Sequence, residues 1–173
     1  MAETNQNEIS VSRKTTIEDN SQSFQIIVFK LGQEEYALMI DQIKEVVITP
    51  NIAKIPLTSS YIKGVANIRG DILAIVDLEE KFGITQSEAS NINKEGYYSL
   101  VVESDSLNMA ILVKEVPNTL SVTQSDIDAS PNLIADQQGD KNYIKGIVKL
   151  ADRIIILIDI YSVIDKSEVT SIA

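Results

Sequence analysis

One internal repeat restricts the fold of this chain more than any other feature of its sequence. The segment Tyr61-Ile-Lys-Gly-Val matches Tyr143-Ile-Lys-Gly-Ile at an offset of 82 residues, and the match runs on without a gap, with Asp77 opposite Asp159. Each copy of this segment reads as a strand, a tight turn, a second strand and a short helix. The chain is therefore expected to contain the same folding unit twice.

A second match extends the repeat towards the N-terminus. It pairs Tyr36-Ala-Leu-Met-Ile with Met109-Ala-Ile-Leu-Val at an offset of 73 residues, so an insertion of about nine residues falls in the loops between the two matches. Two copies are too few for a solenoid, whose units must stack several deep to bury a core. We expect two small barrels packed face to face, each with about five strands that curl to hide the sheet edges.

Short apolar runs rich in β-branched residues recur along most of the chain. Each run has the length of a strand and is bounded by Gly, Asp, Asn or Ser, which favour turns. The pattern indicates a mainly β protein with few helices. The predicted strands are residues 24–31, 36–40, 65–69, 72–76, 97–103, 109–113, 147–150 and 154–158.

Three short helices are predicted between these strands. In Asp41-Gln-Ile-Lys-Glu-Val, the spacing of Ile43 and Val46 equals about one helical turn. The other two helices follow Asp77 and Asp159, and both aspartates are interpreted as N-cap residues. Their matching places in the repeat favour a capping role over a catalytic carboxylate pair, whose members would sit in different environments.

The chain of 173 residues divides into a folded region between two tails. Residues 1–23 are rich in Asn, Ser, Thr, Glu and Gln, so they bury too little apolar surface to offset the entropy of ordering. The predicted divisions are a flexible N-terminal tail at 1–23, a domain at 24–165 whose second barrel starts near residue 97, a C-terminal tail at 166–173, and loops at 84–95 and 123–142.

The composition removes several classes of function. The chain has no cysteine and no histidine, which excludes disulfides, thiolate nucleophiles, histidine bases and phosphohistidine relays. A net charge of −10 argues against nucleic acid and anionic membranes as partners. No apolar run reaches membrane-spanning length and no secretory pattern opens the chain, so a cytoplasmic protein is expected. The remaining classes are a protein-binding module, a carboxylate enzyme and a small-ligand binder.

The first copy of the repeat resembles a known family. The stretch from Tyr61 to Gly83 contains a glycine, then Asn-Ile-Arg-Gly, then an apolar strand ending in Val-Asp-Leu, and it is similar to the core of the chemotaxis coupling protein (CheW-like) family. Phe29-Lys-Leu-Gly-Gln-Glu-Glu-Tyr and Ile43-Lys-Glu-Val resemble the family's first hairpin and helix. The resemblance covers residues 24–165. One departure is Ala74, where the family usually has proline.

The resemblance implies a fold and a role. The implied fold is two intertwined SH3-like five-stranded β-barrels, related by a pseudo-twofold axis and carrying a few short helices. The implied role is a scaffold without enzymatic activity, cofactor or metal. Its implied partners are the regulatory domain of a CheA-type histidine kinase and the cytoplasmic tips of chemoreceptors, in arrays at the inner membrane. We expect no nucleic-acid binding, no insertion into the membrane, and a monomer when the protein is isolated.

The family also implies two sets of contact residues. Arg69 lies in an Ile-Arg-Gly-Asp turn, where a planar guanidinium can bind a carboxylate with two hydrogen bonds. The residues alone leave open a solvated arginine, or an internal tie to Asp71 or Asp77. The second copy has Ala151 at this place, so the fold does not need the charge twice. The receptor-binding set is Ile40, Ile43, Glu45, Val46, Arg69 and Val113, and the kinase-binding set is Val47, Arg69 and Asp71.

Apolar residues around the predicted first helix are candidates for a groove between the barrels. The set is Ile40, Ile43 and Val46, with Val113 and Val116 as counterparts in the second copy. A receptor helix would lay its apolar face in such a groove, with Glu45 at the rim. By composition, core is the better explanation for any one of these residues. The family implies that one or two of them are exposed.

Three glycines are assigned a structural role. Gly64 and Gly146 occupy matching positions after Tyr-Ile-Lys, where a side chain would block a backbone bend or a close approach. Gly70 forms the turn beside Arg69. Two competing functions stay open at this point. An enzyme requires convergent carboxylates or an activated hydroxyl in a cleft. A module that binds proline-rich peptides requires an aromatic groove, whereas this chain has only 5% aromatic residues and no tryptophan.

Overall fold

A computed structural model describes residues 22–84, 96–129, 143–170 and 172. The strands are β1 Ser23–Leu31, β2 Glu34–Met39, β3 Ile43–Ile48, β4 Ile62–Ile68, β5 Asp71–Val76, β6 Tyr98–Val102, β7 Met109–Val113, β8 Asn118–Thr123, β9 Ile127–Asp128, β10 Ile144–Leu150 and β11 Arg153–Ile158. The helices are α1 Leu78–Lys81, α2 Ile160–Val163 and α3 Lys166–Thr170, with single 3-10 turns at Ile40–Gln42 and Gln124–Asp126. All eight predicted strands are present within a few residues of their predicted bounds.

The strands form two sheets with the same internal order. One sheet runs β8-β1-β2-β11-β10-β9, and the other runs β3-β6-β7-β5-β4. The repeat offsets pair β1 with β6, β2 with β7, β4 with β10 and β5 with β11. When each of these strands is replaced by its counterpart, their order is the same in both sheets. This confirms the mainly β fold of two barrels related by a pseudo-twofold axis.

The repeat extends to the register of the strands. In one sheet β5 runs parallel to β7 with Ala74 opposite Met109, and in the other β11 runs parallel to β2 with Ile156 opposite Tyr36. These two pairs are related by the offsets of 82 and 73 residues. The antiparallel hairpins β4-β5 and β10-β11 also share a register shift at the same place, just before Gly64 and just before Gly146.

The barrels exchange strands between the two copies of the repeat. Strands β6 and β7 follow residue 97, yet they complete the sheet that holds β3, β4 and β5. Strands β1 and β2 belong to the sheet of β10 and β11. Neither barrel is therefore a contiguous half of the chain. This exchange makes the two barrels intertwined.

Three apolar clusters stabilise this arrangement. One lies within the sheet of β1 and contains Ile26 and Val148, and one lies within the sheet of β6 and contains Ile75 and Leu112. The third, the shared core, draws residues from both sheets, among them Leu38. Strand β1 contributes alternate residues to its own barrel and to the shared core, which explains its continuous apolar run.

The predicted helix at 41–46 is wrong. After the 3-10 turn Ile40–Gln42, the chain enters β3 and pairs with β6. The pairing shifts register between Ile43 and Glu45, which is a β-bulge, so Ile43 lies opposite Val102 and Val46 lies opposite Leu100. The extra residue places Ile43 and Val46 on one face at a spacing of three, which imitates helical periodicity.

The other two predicted helices are confirmed with their caps. Asp77 Oδ1 accepts a hydrogen bond from Glu80 N before α1, and Asp159 Oδ1 accepts one from Tyr161 N before α2. The region predicted as a C-terminal tail differs, since α3 buries Val169 in the shared core. Residues 1–21, 85–95 and 130–142, which include most of the N-terminal tail and the predicted loops, lie outside the described residues.

Candidate protein-binding site

Arg69 forms an ion pair within the barrel of β3 to β7. Its Nε lies 2.7 Å from Glu45 Oε2, and 74% of the Arg69 side chain is exposed. The sequence allowed an internal tie to Asp71 or Asp77, but the partner is Glu45 on β3. Strands β3 and β4 are the two edges of one sheet, so the ion pair joins the edges and shows that the sheet has curled.

The turn that carries Arg69 has a left-handed backbone. Arg69 has φ 54° and Gly70 has φ 98°, and Gly70 N donates a hydrogen bond of 2.9 Å to Asn67 Oδ1. Ala151, the counterpart of Arg69, has φ 43°, so the second copy builds a similar turn without the charge. Asp71 follows the turn and is exposed. Arg69 and Asp71 therefore lie together on an accessible surface.

The edge of β3 exposes apolar side chains beside the shared core. Val46 and Ile48 lie opposite Leu100 and Tyr98, whose side chains pack in or against that core, and they are 38% and 72% exposed. We call these two residues the apolar margin. Ile48 is not among the predicted contact residues, because the sequence predicts a helix at 41–46; its signal is the alternation of Val46 and Ile48, which is typical of one face of a strand.

The rest of the predicted groove is less accessible. Ile40 and Ile43 are half-buried against the shared core, and Val113 is fully within it. Val113 is therefore corrected from a receptor contact to a core residue, because β7 is covered on both of its faces. Val116 lies beyond the end of β7 and is exposed.

Two further candidates occupy the barrel side of β3. Glu45 and Val47 are half-buried, and Val47 packs against the barrel cluster of Ile75. Glu45 was expected at the rim of a helix, but it faces the barrel end where Arg69 holds it. Val47 contributes more to packing than to an exposed kinase contact.

The matched glycines have different environments. Gly64 has φ 141°, and a Cβ at this position would collide with the backbone carbonyl of Ala53, which pairs with Val65. At Gly146 a Cβ would lie 3.0 Å from Asp128 O and 2.9 Å from Ile127 Cγ2. Both positions therefore need glycine for a close approach, and the requirement is stronger at Gly64.

The two cap aspartates also differ in their electrostatics. Burial raises the pKa of Asp77, although Lys63 Nζ lies 3.6 Å from its Oδ2 and opposes the shift. Burial also acts on Asp159, but hydrogen bonds from Ser162 Oγ and Gln42 Nε2, both 2.7 Å, outweigh it and hold its pKa below the ordinary value. Each carboxylate caps its own helix.

The charged groups around one surface cavity are already paired. The cavity has a volume of about 230 Å³ and is lined by Lys30, Glu79, Lys114 and Glu115. Lys114 Nζ lies 2.6 Å from Glu79 Oε2, and Lys30 Nζ lies 3.3 Å from Glu115 Oε2.

Within the described ranges, no group of three or more Asp or Glu residues is arranged to hold a metal ion. The described helices also include none with the length and apolar character needed to cross a membrane.

Comparison with known proteins places this geometry in a family. Residues 25–168 match the family model of the CheW-like domain. The chain is 27% identical to a chemotaxis protein CheW of Treponema pallidum, over 93% of this chain and 94% of that protein, and 31% identical to one of Helicobacter pylori, over 86% of each. The crystal structure of the scaffolding protein TtCheW from Thermoanaerobacter tengcongensis superposes with a TM-score of 0.69 at 28% identity, covering 86% of this chain and 92% of that one.

One further match is shorter. The protein PilI of Pseudomonas aeruginosa is 33% identical over 95 residues, which is 55% of this chain and 51% of that protein. The full-length matches, the paired barrels and the Asn-Ile-Arg-Gly turn agree with one another. The chain belongs to the CheW-like family, whose members are non-catalytic scaffold proteins.

Proposed function

We propose that this chain couples chemoreceptors of the methyl-accepting type to a CheA-type histidine kinase. The observation that carries the proposal is the presence of two different accessible surfaces on one barrel. The apolar margin, Val46 and Ile48, lies beside the shared core, and Arg69 lies with Asp71 at the end of the β4-β5 hairpin. A scaffold needs separate surfaces, since it holds two partners at once.

The apolar margin suits a receptor helix. Its two side chains lie on one face of a strand at the edge of the shared core, next to half-buried Ile43. An amphipathic helix would cover this surface with its apolar face and bury the exposed parts of both side chains.

The Arg69 surface suits the regulatory domain of the kinase. The guanidinium is fixed on one side by Glu45 and most of it remains exposed, so it can bind a carboxylate of a partner without a large loss of side-chain entropy. Asp71 offers the opposite charge beside it, which would select one orientation of the docked domain.

Binding measurements with purified proteins test this assignment. The unaltered chain is expected to bind a receptor cytoplasmic fragment and the kinase regulatory domain, each measured separately by titration calorimetry. Val46→Asp should selectively weaken binding of the receptor fragment, and Arg69→Glu should weaken binding of the kinase domain. An unaltered chain that binds neither protein would contradict the proposal. Sedimentation of the isolated chain tests the accompanying expectation that it is a monomer.

A second candidate is the same adaptor role in a pathway for pilus or gliding motility. The match to PilI favours it, although that match spans about half of each chain. Deletion of the gene in its host separates the two. Loss of swimming chemotaxis with normal surface motility supports the first candidate, and the reverse phenotype supports the second.

A further inference from the structure

A closed ring of hydrogen bonds joins the two barrels at the start of β3. Gln42 Nε2 donates a bond of 2.7 Å to Asp159 Oδ1, which also accepts one of 3.3 Å from Tyr161 N. The Tyr161 hydroxyl donates to Glu103 O, and Glu103 N donates a bond of 2.8 Å to Gln42 O. Gln42 and Glu103 adjoin β3 and β6 of one barrel, whereas Asp159 and Tyr161 follow β11 of the other. We call these four residues the inter-barrel clamp.

The corresponding place in the other copy of the repeat has a different chemistry. The offsets of 73 and 82 residues place Glu115 opposite Gln42 and Asp77 opposite Asp159. Two ionised carboxylates cannot form the hydrogen bond that Gln42 donates to Asp159, because neither has a proton to donate. Glu115 instead forms an ion pair with Lys30. The fold therefore does not need the amide of Gln42 twice.

The apolar margin shows the same asymmetry. By the register of β3 on β6 and of β8 on β1, the counterpart of Val46 is Thr119. The counterpart of Ile48 is Ser121, and both counterparts are exposed. One copy therefore has a polar strand edge where the other has the apolar margin. The clamp and the margin occur together in the same copy, on the same strand.

The amide of Gln42 is unfavourable for packing alone. Gln42 is half-buried, and its sequence neighbours Ile40 and Ile43 pack against the shared core. Its Oε1 is buried and has no hydrogen-bond partner among the residues that the structure describes. A buried carbonyl oxygen without a partner costs stability, and an apolar side chain of the same length would avoid that cost. The clamp, and not the core, accounts for an amide at this position.

Strand β3 depends on such an anchor because it lies at the edge of its sheet. It pairs with β6, and the bulge between Ile43 and Glu45 interrupts that pairing directly after Gln42. An interruption of this kind lets a strand bend and twist. The hydrogen bonds of Gln42 fix the chain just before the bulge, and the apolar margin begins just after it.

We propose that Gln42 is a positioning residue for the receptor contact. It fixes the start of β3 to the cap of α2 in the other barrel, so that the apolar margin keeps one orientation beside the shared core. A receptor helix then binds a preformed surface and loses less free energy to ordering. The inference rests on the proposed function and adds to it a residue that acts through Val46 and Ile48.

Three variants of the full chain and one control test the clamp. Gln42→Met keeps the length of the side chain and removes its hydrogen bond. Gln42→Glu places a carboxylate against that of Asp159, and the double variant Gln42→Glu with Asp159→Asn restores one hydrogen bond with donor and acceptor exchanged. The control Gln33→Glu adds the same charge at an exposed glutamine in the turn between β1 and β2.

Two affinities and one stability are measured for each protein. Titration calorimetry gives the affinity for the receptor cytoplasmic fragment and, separately, for the kinase regulatory domain. Thermal unfolding shows that each variant is folded at the temperature of the titration. Gln42→Met carries the test alone if the two facing carboxylates unfold Gln42→Glu.

The expected result is a selective loss of receptor affinity. Gln42→Met should lower it about threefold and Gln42→Glu about tenfold, since the margin loses its fixed orientation. The double variant should return it to within about twofold of the unaltered chain, and Gln33→Glu should leave it unchanged. Affinity for the kinase domain should change less than about twofold throughout, because Arg69 lies in the separate β4-β5 hairpin.

Four results would overturn the inference. Unchanged receptor affinity in both Gln42→Met and Gln42→Glu would remove the clamp from the receptor contact while leaving the adaptor function in place. Equal losses for the receptor fragment and the kinase domain would show that Gln42 only supports the fold. A double variant as weak as Gln42→Glu would show that the hydrogen bond does not position the margin. If the unaltered chain binds no receptor fragment, the proposed function fails and this inference fails with it.

Discussion

Arg69 Nε lies 2.7 Å from Glu45 Oε2. This ion pair connects the two edges of the sheet β3-β6-β7-β5-β4, which forms one of the two barrels. The other barrel has Ala151 at the position of Arg69 and forms its hairpin turn without such a pair. Most of the guanidinium stays exposed. We infer that Glu45 orients Arg69 for a partner more than it stabilises the barrel.

Reversal of this charge should affect assembly more than folding. Exposed ion pairs contribute about 1 kcal/mol or less, so Arg69→Glu should lower Tm by at most about 4 °C. Binding of the kinase regulatory domain should fall by at least about tenfold. Ala151→Glu is the matched control, because it adds a carboxylate to the equivalent turn of the other barrel. Kinase binding that Arg69→Glu leaves unchanged would remove Arg69 from the contact.

Aspartate substitutions along β3 separate surface from core. Val46→Asp and Ile48→Asp should each lower the affinity for the receptor fragment by about tenfold or more. The protein should stay folded, since both side chains already contact solvent. Ile43→Asp should unfold or strongly destabilise the chain, because Ile43 packs against the shared core and a carboxylate there lacks a partner. Circular dichroism and titration on the same samples distinguish the two effects.

This comparison can fail in two ways. A folded Ile43→Asp protein with normal stability would show that the β3 face is open more widely than the packing indicates. Receptor binding that survives both Val46→Asp and Ile48→Asp would exclude the apolar margin as the docking surface.

Substitution of the matched glycines should have unequal effects. Gly64→Ala places a Cβ against the Ala53 carbonyl at a positive φ, so it should cost about 2 kcal/mol or more in urea unfolding. Gly146→Ala should cost less, because part of its obstruction is the movable Ile127 side chain. A larger loss for Gly146→Ala than for Gly64→Ala would contradict this account of the hairpin bulges.

The two cap aspartates should respond oppositely to pH. The pKa of Asp159 is lowered by folding, so its ionised form adds stability above about pH 4, and that stability is lost as the pH falls through the folded pKa. Asp159→Asn should therefore have a lower Tm than the unaltered chain at pH 7, and the difference should shrink in acid.

At Asp77 the sign is reversed. Its pKa is raised by burial, so the ionised carboxylate costs stability at pH 7, and asparagine can still cap α1. Asp77→Asn should therefore be less destabilising at pH 7 than Asp159→Asn. Thermal unfolding of the two variants across pH 3 to 7 checks this order, and equal pH profiles would show that the two sites are electrostatically equivalent.

Much of the fold could be predicted from the repeat, because its strands and caps depend on local patterns. Asp77 and Asp159 cap their helices as the sequence indicates. The repeat itself did not predict the exchange of strands between barrels, which only the family resemblance implied, since the exchange depends on the parallel pairing of β5 with β7 and of β2 with β11 across distant segments. Such long-range pairings leave no local pattern in one sequence.

The candidate site was predicted less completely, for a physical reason. The bulge between Ile43 and Glu45 gave β3 an apparent helical spacing, which hid the exposure of Ile48. The family resemblance singled out Arg69, but its partner Glu45 comes from the opposite edge of the sheet, so the ion pair could be seen only in the closed barrel.

Recruitment of the kinase to receptors tests the central claim most directly. Receptors in membrane vesicles are mixed with the kinase, with and without this chain, and the kinase that sediments with the vesicles is measured. The account predicts that the kinase sediments with receptors only when the chain is present, and that Val46→Asp and Arg69→Glu each abolish this recruitment. Equal sedimentation of the kinase without the chain, or displacement of the kinase by the receptor, would contradict it.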